Sequence, residues 1–276
     1  MSARYGANFT ADTLRKPSDG LWGDCPLDDY FAGRVGGTYM ADDFTHTGPI
    51  TAVTTDAHLI GMPYMAFNSS GGTHTFADVQ GGALVCTEAT DNEASYVRTN
   101  GWPFQITALG GDLWAEWRIK VNAITDNQIG FISGFWDNTA MSVVVPLSTA
   151  NPPVMATTGE FVGFWGREED AGLVRFIYKA SGVTEVVMVT SAHQFVADTY
   201  VKFGVKFSKN YQQSGLPKLE GYVNGVPLGS PKQIPDNTGT DFPADVRLGW
   251  MFGHRLGAGT SSLTTCDWFK IFQKDA

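Results

Sequence analysis

Between Tyr200 and Ser208 the chain alternates without a break. Val201, Phe203, Val205 and Phe207 fall on one side of an extended backbone, and Tyr200, Lys202, Lys206 and Ser208 on the other. A period of two with one apolar side is a strand with one buried face. A turn-rich link carrying Gly215 and Pro217 follows, then a second strand over Leu219–Val223 that ends in Asn224-Gly225. That dipeptide accepts positive φ at both positions and sets a tight hairpin turn. The period is the wrong one for a helix. No other stretch carries a 3.6-residue period beyond two turns, so the only helix expected is a turn or two near Ser191–Phe195.

The same alternation recurs. Leu113, Ala115, Trp117, Ile119, Val121 and Ala123 interleave with Trp114, Glu116, Arg118, Lys120 and Asn122. Over Ile129–Trp136, Phe131 and Phe135 share one face, and Ile132 and Trp136 the other. Further strands are expected over Ala83–Thr87, Ser95–Arg98, Met141–Val145, Phe161–Trp165, Leu173–Lys179, Thr184–Thr190, Val246–Phe252 and Leu263–Phe272. Short strands at this spacing, with 32 Gly and 13 Pro to turn between them, specify an all-β sandwich. At 276 residues, 43% hydrophobic, the chain can bury one large core.

Residues 1–40 differ. They are polar and Gly-rich, and Tyr5, Phe9, Trp22, Tyr30 and Phe31 are scattered without a period. Disordered tails are poor in such residues. The expectation is an extended N-terminal arm that docks on a surface, followed by a sandwich domain over 41–276. The five aromatics are its expected interface residues.

The YVNG hairpin at Tyr222–Gly225, the Asp42-Asp43-Phe44 opening and the closing CDWFKIFQ at Cys266–Gln273 resemble concanavalin-A-like and laminin-G-like jelly rolls. That resemblance implies a concanavalin-like jelly-roll β-sandwich. It leaves function open, because this sandwich serves lectins, glycosidases and virion proteins alike.

The chemistry can be searched directly. Retaining glycosidases need two carboxyls about 5 Å apart, and the Glu-x-Asp-x-x-Glu spacing that supplies them on one strand is absent. Arg167-Glu168-Glu169-Asp170 sits in a turn, and Glu116 and Glu160 are solitary. No Gly-x-Ser-x-Gly elbow occurs, and the five histidines are scattered. His74 lies in a Gly-rich stretch that reads as a flexible loop. Asp91, Asn92, Asp126, Asn127, Asp137 and Asn138 are the loop oxygens suited to calcium, but turn chemistry explains Asx residues there. None is assigned as a ligand, and no cofactor is expected. Cys25, Cys86 and Cys266 are an odd set without metal spacing and are expected to stay unpaired.

A formal charge of −9 opposes binding to nucleic acid or an anionic membrane. The first residues lack the apolar run of a secretory signal. With the Gly/Thr/Asn-rich loops and low charge, the chain resembles virion structural proteins of tailed phages. That resemblance implies a non-enzymatic capsid decoration (cement) or fibre subunit, made in the host cytoplasm and carried in the virion. Its partners would be the major capsid protein or other virion proteins, and copies of itself. The alternative is a carbohydrate-binding, lectin-like module or receptor-binding tail protein, with Trp136 and Trp165 as the surface for a glycan or an interface. A glycosidase with a divergent site ranks third.

Overall fold

The computed structural model describes residues 16–45, 48–50, 57–58, 64–69, 72–77, 79, 81–101, 103–106, 110–122, 129–137, 141, 145–148, 154–166, 172–209, 217–234, 241–243, 246–256 and 262–276. In chain order the elements are α1 (Asp19–Trp22), α2 (Leu27–Phe31), β1 (Gly37–Asp42), β2 (Gly48–Ile50), β3 (Ala57–His58), β4 (Tyr64–Asn68), β5 (Thr73–Ala77), β6 (Ala83–Glu88), β7 (Ala94–Thr99), β8 (Leu113–Val121) and β9 (Ile129–Trp136). They continue with β10 (Phe161–Gly166), β11 (Leu173–Lys179), β12 (Val186–Gln194), β13 (Val201–Ser208), β14 (Lys218–Val223), β15 (Val226–Pro227), β16 (Lys232–Gln233), β17 (Gly249–Leu256) and β18 (Ser262–Lys274).

Two antiparallel sheets face each other. The first runs β15-β14-β13-β8-β18-β6-β5-β2, with β1 beside β18 and β16 beside β14; the second runs β12-β11-β10-β9-β17-β7-β4-β3. The alternation read from the sequence is the alternation found. Val201, Phe203, Val205 and Phe207 of β13 all enter the inter-sheet core. Across it, Phe203 stacks on Phe164 with ring centroids 4.4 Å apart, and Trp250 stacks on Phe269 at 4.3 Å. The Trp117 indole donates to Ser133 Oγ at 3.0 Å, which satisfies its one polar atom inside the core. The Asn224-Gly225 turn forms as expected, with φ of 51° and 79°, and joins β14 to β15 at the Val223–Val226 pair.

β18 is the spine of the first sheet. It pairs with β8 along its length, with β6 over Ser262–Cys266, and with β1 over Phe269–Lys274. A bulge at Asp267 inserts one residue between Cys266 and Trp268. Cys266 before it and Phe269 and Ile271 after it therefore all face the core. Asp267 instead meets Arg118 Nη1 at 2.6 Å in a buried ion pair.

The free edges are blunted, which suppresses pairing with other chains. β15, β16 and β3 have two residues each and β2 has three. β12 is long, but two register shifts against β11 bend it. These bulges explain a departure from the sequence expectation: Ser191–Phe195 is the end of a strand and the residue after it, and no helix forms there.

The boundary drawn at residue 40 falls within β1, which belongs to the first sheet. The segment before it holds two one-turn helices. Of the expected strand at Met141–Val145, residues 142–144 lie outside the described residues. No helix among the described residues is long and apolar enough to cross a membrane.

Candidate interaction surface

Over β13, β8 and β18 the outer face of the first sheet is covered. Residues 16–36 lie across it as a strap. The register sets Glu116 between Gly204 and Lys270, and Trp114 between Lys206 and Phe272. Ser18 donates its backbone N–H to Glu116 Oε2 at 2.8 Å and its hydroxyl to Oε1, and the Trp22 indole donates to Oε2 at 3.1 Å. Burial pushes the Glu116 carboxyl above its ordinary pKa, and these bonds together with Lys202 oppose the shift. Leu21 is fully buried. It sits over Gly204, where even a methyl group would approach its Cδ2 to 3.2 Å.

Further along, Asp24 is clamped from two sides. Lys206 Nζ donates to Oδ2 at 2.6 Å and the Trp114 indole to Oδ1 at 3.0 Å. Burial raises the Asp24 pKa, but these two donors outweigh it and hold the carboxyl below its ordinary value. Lys202 Nζ donates to the Lys16 carbonyl at 2.9 Å, and Lys270 Nζ lies 4.2 Å from the Trp22 ring centroid. Beneath, Leu27, Trp114 and Phe272 form a separate apolar cluster, with Trp22, Cys25, Tyr30 and Tyr39 packed on it.

Past the strap's second helix the surface turns aromatic. Phe31 packs edge-on against Tyr30 at 5.4 Å and Tyr39 at 5.2 Å, and Tyr30 rests on Phe272 at 5.1 Å. Phe31 is 56% exposed. The ring is thus open to water on one side and packed against two half-buried tyrosines on the other. Arg34 and Asp29 form an exposed ion pair at its rim, 3.0 Å apart. Of the expected interface residues, the structure brings Trp22, Tyr30 and Phe31 to this one region. Trp22 works as a strap anchor and Phe31 faces water. Tyr5 and Phe9 lie outside the described residues.

Trp136 and Trp165 do point outward from the second sheet, yet both are fully buried. They belong to a second apolar cluster with Ile132, Tyr96 and Met251, closed over by Met141, Leu147 and Met155. Gly159, at φ 92°, lies so close to Trp136 that a side chain there would strike the indole. The covering segment is held by cations. Lys179 Nζ donates to the carbonyls of Thr157, Gly159 and Ala180 at 2.7, 3.0 and 3.1 Å, and Arg255 donates to the carbonyls of Leu147 and Asn92. Burial lowers the Lys179 pKa. The expectation that these indoles offer a surface to a glycan or partner is therefore corrected: their faces are occupied by the protein's own side chains.

His74 is likewise corrected from loop to core. It lies on β5, fully buried. Asn68 Nδ2 donates to the Gly72 carbonyl at 2.6 Å and lies 3.4 Å from His74 Nδ1, which therefore accepts. His74 Nε2 then carries the proton toward Ser95 Oγ, 3.2 Å away. From the opposite sheet His254 meets Thr264 Oγ1 through Nδ1 at 2.9 Å. Burial drives the His74 pKa down to about 4. Burial, then the nearby His74, drives His254 to about 3. Both rings are neutral at pH 7.

Among the calcium candidates, Asn92 is a turn residue at φ 61°, and Asp137 accepts the Glu160 N–H at 2.9 Å. Asp126, Asn127 and Asn138 lie outside the described residues. Among the described residues no group of three or more His, Cys, Asp or Glu is arranged to hold a metal ion. The sequence reading missed Asp24, Glu116, Lys202 and Lys206 as a set. The signal available was the unusual Trp-x-Glu-x-Arg run, Trp114 to Arg118, on the outward side of β8.

No protein-family model and no curated protein matches the chain. Among solved structures, it resembles the endo-β-1,4-glucuronan lyase of the fungus Trichoderma reesei, with a TM-score of 0.53 and 14% identity over 79% of this chain and 93% of that one. It also resembles a protein of unknown function from Shewanella oneidensis MR-1, with a TM-score of 0.51 and 12% identity over 87% of this chain and 88% of that one. The likeness is one of fold, and the two packed antiparallel sheets are those of a concanavalin-like jelly roll.

Proposed function

We propose that the protein is a non-catalytic structural subunit of a virion, of the decoration or fibre type in a tailed phage. On this reading it docks through the patch of Tyr30, Phe31 and Tyr39 onto the major capsid protein or another virion protein. The single observation that carries it is Phe31, 56% exposed on an aromatic base of Tyr30 and Tyr39, at the end of a strap fastened to the sandwich. Exposed aromatic anchors of this kind dominate protein interfaces. A supporting observation is where the sheet-face charges go: Glu116, Lys179 and Arg255 each bind the protein's own backbone. Synthesis in the host cytoplasm and residence in the particle belong to the same reading.

The test is co-sedimentation of wild type and Phe31→Asp with particles from the strain that encodes the chain. Replacing an aromatic anchor by a charge is expected to weaken binding at least about tenfold, equivalent to ~1.4 kcal/mol. The melting curve should not change. Undiminished binding by Phe31→Asp overturns the proposal.

A lectin-like role is the second reading. Tyr30 and Tyr39 pack their rings around that of Phe31, and a cluster of aromatic rings also suits the apolar face of a sugar. A glycan array separates the two: selective binding that Phe31→Asp abolishes favours the lectin.

A further inference from the structure

The seat under the strap matches the strap at three points. Leu21 covers Gly204, Ser18 saturates Glu116, and Asp24 fits the fork of Lys206 and Trp114. These anchors lie on an outer sheet face. It joins the sandwich through residues 32–36, which are exposed apart from the half-exposed Val35. In that linker Gly33 holds φ 71° with no atom within 4 Å of where a side chain would stand. Among the described residues the strap adds no strand to either sheet, so a change at the linker can lift residues 16–31 from the seat with the two sheets intact.

We infer that the strap is exchangeable, and that the occupant of one copy's seat in an assembly is the strap of a second copy. An exchanged strap makes every contact of the closed form, so nothing in the seat itself opposes exchange. What opposes it is the high effective concentration of a chain's own strap, equivalent to millimolar for a short tether. Crowded copies overcome that advantage, and copies held side by side on a particle are crowded. The inference rests on the particle reading for its crowding, but it concerns contacts between copies and does not depend on what Phe31 meets.

Asp24 and Lys206 make the exchange visible, since their 2.6 Å contact suits zero-length carbodiimide coupling. Full-length protein in light and heavy nitrogen is mixed, equilibrated, coupled and digested. Strap exchange gives Asp24–Lys206 links of mixed isotope. Their ratio to single-isotope links is expected to rise about tenfold for a tenfold rise in concentration, as a bimolecular event competes with a unimolecular one. Lys120 and Asp198, 3.6 Å apart on the body of the sandwich, are the internal control and should stay single-isotope. Gly33→Val strains the closed linker at positive φ by an amount that should raise the mixed fraction about tenfold. Single-isotope links at every concentration and in Gly33→Val overturn the inference. So does equal mixing at Lys120–Asp198, which marks mere collision. Loss of particle binding in Phe31→Asp with exchange retained, or the reverse, tells the two proposals apart.

Discussion

Ser18 and Glu116, 98 residues apart in the chain, meet through two hydrogen bonds that use both carboxylate oxygens. One short segment thereby satisfies a buried carboxylate in the middle of a sheet. Glu116→Ala removes the acceptor for the Ser18 N–H and the Trp22 indole together. The expected outcome is a loosened strap on an intact sandwich. Limited proteolysis should cut within residues 16–36, while far-ultraviolet circular dichroism keeps its β form. The global loss should stay near 1–3 kcal/mol, the penalty for buried donors left unpaired. Unchanged proteolysis would mean that the apolar contacts of Leu21 and Leu27 hold the strap alone.

Neighbouring residues on β13 give a second comparison. Phe203 stacks on Phe164 inside the core, and its truncation to alanine is expected to cost about 3–5 kcal/mol. Lys202 looks solvated in the sequence, where Lys202→Ala would cost no more than about 0.5 kcal/mol. In the structure it is 5% exposed and holds the Lys16 carbonyl. The expected loss rises to about 1–2 kcal/mol, as for a charge-assisted hydrogen bond. Paired denaturant melts check both numbers, and a neutral Lys202→Ala would show that the strap contributes nothing there.

Lys202 illustrates what the sequence can and cannot carry. Alternation tells which residues share a face, and it placed Phe131 and Phe135 apart from Ile132 and Trp136, as found. It does not tell what covers a face. Lys202 is covered by the strap, distant in sequence, and Trp136 and Trp165 by Met141, Leu147, Met155 and Gly159 from the irregular connection between β9 and β10, so all three were assigned to solvent or to a partner. The first half of β12 was legible as a strand, but its end was read as a helix. Its bulges place buried residues at Met188, Ala192 and, just past the strand, Phe195, which is a helical spacing. His74 failed because its core neighbours are polar, so no apolar pattern marked the strand. The candidate patch was half legible: the aromatics of residues 1–40 stood out, but only folding showed that Trp22 anchors and Phe31 projects.

The thiols report on strap docking. Cys86 and Cys266 are fully buried and Cys25 is partly so, and none is paired with another. Burial pushes the Cys25 thiol up to about 12, so at pH 8 almost none of it is thiolate. Wild type should label slowly at this one site, and all three thiols should label in denaturant. Glu116→Ala should speed Cys25 labelling and leave the other two untouched. A two-hydrogen mass difference on reduction under denaturing conditions would refute the free-thiol assignment.

Acid sensitivity follows from the histidines inside the sandwich. In the unfolded chain His74 titrates near 6.5, and in the folded protein near 4. Its folded pKa lies below the unfolded one, so the unfolded state takes up the proton first as pH falls. Stability is full above pH 6.5 and declines from there to about pH 4. At about 1.4 kcal/mol per pH unit, His74 alone accounts for roughly 3 kcal/mol of that decline. His254 extends the decline toward pH 3, and because each ring opposes a proton on the other, the two losses are coupled. Cys86 on β6 stands opposite His74 in the strand register, and burial pushes its thiol up, so it stays protonated throughout this range. Urea melts of wild type and His74→Gln from pH 7 to pH 4 measure the effect. Gln cannot take up a proton, so the variant's disadvantage at pH 7 should shrink by about 3 kcal/mol at pH 4. Parallel curves would show that His74 is not the group whose burial limits acid stability.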